Sequence, residues 1–494
     1  MSKTSSHLKR EHGKRPCPRS QLHTLASRAT QGLFGAFIFL ALVAPSLTVG
    51  PFSWLPLISL SNIADAPIGL GPLSLVPGAM VLAWLVARLL ETPRRHWLWG
   101  RLGVSIPLAG LTLLMLSGLE PALDQRTLVV LITLVLLWSV YLFVVNEKPD
   151  LTLSLGLVVA IQGSVALGQF VCQRDLGISL LGEPTLDREV SGVSVLWARG
   201  SRWLRAYGLT GNPNVLGAVL SVLLLILADD IIRARGWRQL FFTFVASSGL
   251  LGLLTTFSRS SWLAFGLGLL AWALRRSLLD RLRTRSKERR PLLLRPQVVV
   301  PIILAALFLL LHDDLVASRF LHLETPIEAR SIRDRRLDTD LAIRLVKEHP
   351  WRGVGVSNYL VAVRAIETDS RTVHNTLLLI AAELGLPGAA LWLWLALSSL
   401  LHPLSAGWVP WVAMLVSTLF DISLSMTNSW YATVVFALLA AHASLPLGTA
   451  SAAGAGTRVR PRRNLPETVH PHDQPSRPTV IGPRRGRSDS RNGL

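Results

Sequence analysis

Long apolar runs of roughly 17 to 22 residues, separated by short polar breaks, recur from Gln31 to about Pro446. Each is long enough to cross a hydrocarbon core of about 30 Å as a helix. The pattern predicts about twelve transmembrane helices, at roughly 31–49, 72–90, 102–119, 127–145, 151–171, 213–231, 240–257, 260–274, 297–312, 376–398, 408–424 and 430–447. The eighth is short. A long polar stretch, about 313–375, separates the ninth from the tenth. The expected fold is all-α, a polytopic integral membrane protein in which residues 313–375 form a large extramembrane loop. Composition agrees: half of the residues are hydrophobic and mean hydropathy is +0.44.

The flanks differ from this 31–447 membrane domain. Residues 448–494 are rich in Ala, Gly, Pro, Arg and Ser, bury too little apolar surface to fold, and are expected to be disordered. About thirty mostly polar residues precede the first run and no small-residue cleavage pattern follows it, so the first helix is expected to stay as an anchor.

A formal net charge of +20 would suit a nucleic-acid partner, but its distribution decides against one. Lys and Arg collect in residues 1–30 (Lys3, Lys9, Arg10, Lys14, Arg15), then in alternate loops (Arg94-Arg95, Arg233 to Arg238, Arg275 to Arg295) and beyond Arg458. The positive-inside rule puts all of these in the cytoplasm, with both termini inside, and leaves the 275–295 cluster as a topogenic loop that meets anionic lipid. Cys17 and Cys172 then fall on opposite sides of the membrane and point to no disulfide within one chain.

This topology turns four segments outward: 172–212, the tight connection at 258–260, the loop 313–375 and a turn near 425–429. The distinctive polar motifs lie there. Arg205-Ala206-Tyr207-Gly208-Leu209-Thr210-Gly211-Asn212-Pro213-Asn214 leads into the sixth run. Helix capping accounts for Asn212, Pro213 and Asn214, but not for Arg205. Thr256-Phe257-Ser258-Arg259-Ser260-Ser261 is wedged between two apolar runs, where an arginine needs a watery cavity, a carboxylate such as Asp421 or Glu383, or an anionic ligand. A guanidinium offers a planar fork of donors suited to phosphate oxygens.

The long loop carries Arg330, Arg333, Arg335 and Arg336 ahead of a helix-like stretch, 337–347. Asp338-Thr339-Asp340 has the spacing that metal-dependent glycosyltransferases use on sugar nucleotides, and acids in a helix's first turn explain it more simply. Glu348-His349-Pro350-Trp351-Arg352-Gly353-Val354-Gly355 follows, then His374-Asn375, with Glu383-Leu384-Gly385 inside the next apolar run. Asn375 alone would cap the helix from Thr376. No convincing metal cluster is present among the outward residues, so the site is expected to be metal-independent and without a cofactor.

In their order and spacing these motifs resemble the O-antigen ligase superfamily, which includes related polysaccharide polymerases. The likeness is carried by Arg205 to Gly208 with Asn212-Pro213-Asn214, by Thr256 to Ser260, by Arg335 followed by His349 to Gly355, by His374-Asn375 and by Glu383-Leu384-Gly385-Leu386-Pro387-Gly388. It covers roughly residues 200–395, and departs from the pattern where Ser260 follows the arginine in place of Gly or Ala. The resemblance implies a glycosyltransferase of the bacterial cytoplasmic membrane, inverting, with its active site on the outer face. It would move a glycan from undecaprenyl diphosphate or a similar polyprenyl carrier to a hydroxyl on a glycan or lipid acceptor, in lipopolysaccharide or other envelope polysaccharide assembly. By position His374 matches the general base, while Arg259 and Arg335, with Arg333 or Arg336 in its place, match the arginines on the diphosphate. Arg205, Asn375 and Glu383 complete the expected substrate-binding set.

The residue chemistry fits independently. A sugar hydroxyl is a poor nucleophile, and an imidazole with an ordinary pKa near 6.5 can take its proton. Fixed arginines can stabilise the leaving diphosphate where other enzymes use a metal. A polymerase of the same fold is the alternative, since ligase and polymerase share these motifs. A transporter or flippase is the second, since intramembrane Arg259, Glu383 and Asp421 would also suit an ion path.

Overall fold

The computed structural model describes residues 18–43, 84–86, 88, 97–119, 125–198, 200–282, 295–320, 326–405, 407–422 and 430–445, all within one compact unit, residues 1–454. The tail 448–494, the basic residues before Pro18 and most of the run at 72–90 lie outside the described residues.

The apolar runs form helices. In chain order these are α1 (Pro18–Val43), α2 (Leu102–Ser117), α3 (Gln125–Glu147), α4 (Thr152–Cys172), α5 (Pro213–Arg233), α6 (Trp237–Thr255), α7 (Arg259–Leu282) and α8 (Pro296–Leu311). The expected loop folds as three helices, α9 (Asp313–Phe320), α10 (Pro326–Glu348) and α11 (Tyr359–Arg364); α12 (Thr376–Leu400), α13 (Trp408–Phe420) and α14 (Trp430–Ser444) complete the chain. Six helices among the described residues are long and apolar enough to cross a membrane, or seven if α8 and α9, bent by 77° at His312, count as one broken span. The protein is thus a mostly helical polytopic membrane protein.

Two expectations need correction. The eighth span is not short: α7 runs 24 residues because the helix continues through the polar turns around Arg275 and Arg281. The chain is also not wholly helical, since β1 (Val195–Ala198) and β2 (Ser201–Leu204) pair antiparallel with Val195 opposite Leu204. A four-residue strand carries too little alternation to stand out beside the apolar runs.

Helix α5 is the centre of the bundle, packed by α4, α6, α7 and α13. Of its apolar window 78% is buried, against 17% for α7, whose Leu263, Leu267, Leu270 and Leu274 face outward where lipid would cover them. Helices α4 and α6 approach through glycine: a Cβ on Gly252 would sit 2.6 Å from Gly163 Cα, and one on Gly163 would sit 2.3 Å from the Ser248 carbonyl oxygen. Small residues at such a crossing let backbones touch where lipid gives no hydrophobic drive.

Antiparallel alternation brings the starts of α5, α7 and α12 to the same end as the ends of α4, α6 and α13. The opposite end is clasped by Asp229, which accepts from Trp272 Nε1 at 3.1 Å and from Arg275 Nη1 at 3.3 Å.

Candidate functional site

The segment Arg205–Thr210 enters this end as irregular, buried backbone. Such backbone is tolerated at membrane depth only if its N–H and C=O groups are satisfied by protein. Two glutamines on α4, seven residues apart and so on one helix face, satisfy it. Gln169 Oε1 accepts from Tyr207 N at 3.0 Å and Gly208 N at 2.8 Å, and its Nε2 donates to Gly208 O and to Glu183 Oε1, both at 2.8 Å. Gln162 Oε1 accepts from Leu209 N at 2.8 Å while its Nε2 donates to Leu42 O at 2.9 Å. Gly208 has φ +58, and a Cβ there would lie 2.5 Å from Gln162 Oε1, so the motif's glycine is fixed by both conformation and space.

Arg205 is buried. It donates from Nε to Thr256 O at 2.7 Å and from Nη2 to Asn214 Oδ1 at 2.6 Å, and Asn214 Nδ2 in turn donates to Asp421 Oδ2 at 3.0 Å. Asn212 caps α5, accepting from Asn214 N at 2.8 Å, with Pro213 in the first helical position, as the capping argument requires.

Arg259 is the first residue of α7 and half-buried. A cation there opposes the helix macrodipole, so helix stability is not what it serves. Its Nη1 donates to Arg319 O at 3.0 Å, and Arg319 Nε donates to Phe257 O at 3.1 Å, which folds the end of α9 over the start of α7. Glu383 is not its partner. That carboxylate is turned to the backbone N–H groups of Ser357 and Tyr359 and is 7% exposed.

The stretch His349–Gly355 works through its backbone. Helix α12 breaks at Gly385 (φ 74, ψ −176), and Pro387 has no N–H to give to Glu383 O. The loop replaces the missing helical bonds: Val354 N donates to Ala382 O at 2.9 Å, Gly355 N to Glu383 O at 2.9 Å, and Leu386 N to Pro350 O at 2.8 Å. Each segment's glycine lies against the other's backbone. A Cβ on Gly353 would meet Glu383 C and O at 2.3 Å, and one on Gly385 would meet Trp351 C and O at 2.6 Å. The side chains of His349, Trp351 and Arg352 are exposed.

This latch sets α10 and α11 beside the first half of α12, where Leu341, Ala342, Leu345, Tyr359, Val363, Val373 and Leu379 form a second core. Helix α10 begins at Pro326, so Asp338 and Asp340 are not first-turn acids as expected; they sit mid-helix, and two residues apart they point to opposite sides. Asp338 is buried and accepts from Arg371 N at 3.2 Å, whereas Asp340 is exposed. Burial raises the pKa of the Asp338 carboxyl, partly offset by that N–H.

His374 stands at the end of the clipped loop. Its ring is partly buried, and its Nδ1 is shielded with no hydrogen-bond partner among the described residues. Burial holds its pKa below the ordinary value; nearby Asp421 and Asp338 work against this, Arg335 and Arg371 with it. Arg333, Arg335 and Arg336 are exposed on α10, and Arg335, Arg336, Thr339 and Asp340 line an open groove of about 370 Å³. Asn375 caps α12, accepting from Leu378 N at 2.9 Å, and its Nδ2 donates to Leu419 O at 3.1 Å; Thr376 Oγ1 donates to Asp421 O at 3.1 Å.

The structure thus gathers His374, Arg335, Asp338, Arg371 and Asp421 into one electrostatic neighbourhood. Asp421 reaches Arg205 through Asn214, and Arg259 sits at the same end under α9. Glu383 and Asn375 hold backbone. Sequence reasoning missed Gln162, Gln169 and Arg371; the signal for the first two was a pair of glutamines at helical spacing inside an apolar run. Among the described residues no group of three His, Cys, Asp or Glu side chains is placed to hold a metal ion.

No curated protein matches the chain. Residues 241–393, from α6 into the second half of α12, match the family model described as O-antigen ligase, a range that takes in Arg259, Arg335, His374 and the latch but not Arg205. That match supports the resemblance to the O-antigen ligase superfamily over this stretch of the chain.

Proposed function

We propose that this protein transfers a glycan from a polyprenyl diphosphate carrier to an acceptor hydroxyl at the outer face of the bacterial cytoplasmic membrane. It does so as a metal-independent, inverting glycosyltransferase with about twelve spans and both termini inside. The observation that carries the reading is His374: an imidazole whose Nδ1 is shielded and without a partner among the described residues, whose pKa burial holds below the ordinary value, near arginines and at the mouth of a membrane helix. A buried polar atom left without a partner calls for a functional explanation.

In the reaction the acceptor oxygen attacks the anomeric carbon, its proton passes to His374, and the carbon–oxygen bond to the diphosphate breaks. Arg259 and Arg335 stabilise the charge gathering on the leaving polyprenyl diphosphate, a kind of contribution typically worth about 3–4 kcal/mol per donor. The carrier's hydrocarbon lies in lipid along the bundle. The family match supports this class of reaction.

His374→Ala is expected to abolish transfer while membrane insertion persists, and unchanged glycan products would sink the assignment. Gene deletion separates the two members of the class. Accumulated lipid-linked long chains indicate a ligase, and accumulated single repeat units a polymerase.

A further inference from the structure

We propose that Arg371 and Arg335 together form an oxyanion-binding mouth over His374, one guanidinium from the loop and one from α10. The role of Arg335 rests on the transfer reading above; that of Arg371 comes from the fold. Arg371 N donates to Asp338 Oδ1 at 3.2 Å, pinning the loop to α10 three residues before His374. Arg335 precedes Asp338 by three residues and therefore lies one turn away on the same side of α10. Both arginine side chains are exposed, and neither has a hydrogen-bond or ion-pair partner among the described residues.

Asp338 is buried and accepts from the Arg371 backbone N–H. Arg335 also lines the open groove that it shares with Arg336, Thr339 and Asp340. Two such guanidinium groups match the tetrahedral oxygens of a phosphate or the planar pair of a carboxylate. The ligand is accordingly an oxyanion, supplied either by the carrier's diphosphate or by an acidic group on the acceptor.

The charged groups facing His374 are Asp421 from the end of α13, Asp338 and Arg335 from α10, and Arg371 from its own loop. An anion seated between the two arginines screens their effect on the ring, so occupancy of the mouth strengthens the base at the moment it is needed. Because the structural bond at position 371 is made by the backbone, Arg371→Gln keeps the clip and removes the charge.

The test uses the full chain in lipid nanodiscs. Inorganic pyrophosphate binding, followed by calorimetry, is expected to weaken about ten-fold or more in Arg371→Gln, as for loss of a charge-assisted bond. Arg371→Lys should fall between, and His374→Ala should retain binding. The acidic limb of the transfer rate should move to higher pH in Arg371→Gln, which a merely structural residue would not cause. Pyrophosphate competing with the lipid-linked donor assigns the mouth to the carrier; a KM raised for acidic acceptors alone assigns it to the acceptor. Equal pyrophosphate binding by wild type and Arg371→Gln overturns the proposal. Full transfer by His374→Ala would overturn the proposed function instead and leave the pyrophosphate result standing.

Discussion

Replacing Gly353 with alanine isolates what the latch between His349–Gly355 and α12 contributes. The residue has φ +63, where an L side chain costs about 1–2 kcal/mol. The new Cβ would also lie 2.3 Å from Glu383 C and O, backbone atoms that cannot swing aside, so the two segments must separate. Separation removes the bonds from Val354 N to Ala382 O and from Gly355 N to Glu383 O, each worth about 0.5–1.5 kcal/mol net. The total is about 2–5 kcal/mol, which at tenfold per about 1.4 kcal/mol opens the latch roughly 30-fold to several thousand-fold more often. Hydrogen–deuterium exchange reads this directly: amides of Val354, Gly355 and Leu386 should exchange faster by that factor, while those of the α4–α6 crossing stay unchanged. Gly177→Ala is the control. It has φ +76 with nothing within 4 Å of the new Cβ, so only the strain of about 1–2 kcal/mol applies. Wild-type exchange at the latch in Gly353→Ala, or an effect no larger than the control's, would refute the account.

Arg259→Lys should lower kcat markedly while Arg259→Ala lowers it by about 10²–10³, because an ammonium does not reproduce the fork; full activity in the lysine variant would show a merely structural arginine. The transfer rate should fall on acidification with a midpoint below the ordinary histidine value near 6.5. The sign follows from burial favouring neutral His374: the base is lost only as pH drops through that lowered pKa, and an acidic limb above 7 in a pH–rate profile would contradict it. Gln169→Leu strands the N–H groups of Tyr207 and Gly208 at about 1–3 kcal/mol each, so its unfolding temperature in detergent should drop well below that of an exposed substitution such as Leu153→Ala.

The helices were legible because a run such as 215–228 within α5 is apolar apart from Ser221, and burial or lipid satisfies either side of it. The caps at Asn212 and Asn375 were legible too, since side-chain capping is local chemistry. What sequence could not show was long-range complementarity. Gly353 and Gly385 look like two separate turn formers until each is seen to leave room for the other's backbone. The glycine-punctuated motif therefore read as chemistry, yet its side chains are exposed and its peptide groups do the holding. Asp338 misled for a related reason, since the start of α10 at Pro326 is set by a charged stretch with little apolar periodicity. Arg371 stood out in no motif and gains meaning from the clip to Asp338.

The bond from Asn214 to Asp421 spans 207 residues of sequence, and this orders events during synthesis. At about 5–20 residues per second, roughly 10–40 s separate the emergence of the two partners. For that interval the start of α5 sits in the translocation machinery or the bilayer without its carboxylate, and α12, emerging 45 residues ahead of Asp421, lacks for a shorter time the carbonyl that receives Thr376 Oγ1. The polar end of the bundle thus closes late, so a chain truncated before α13 would insert its earlier helices and still present an unfinished site.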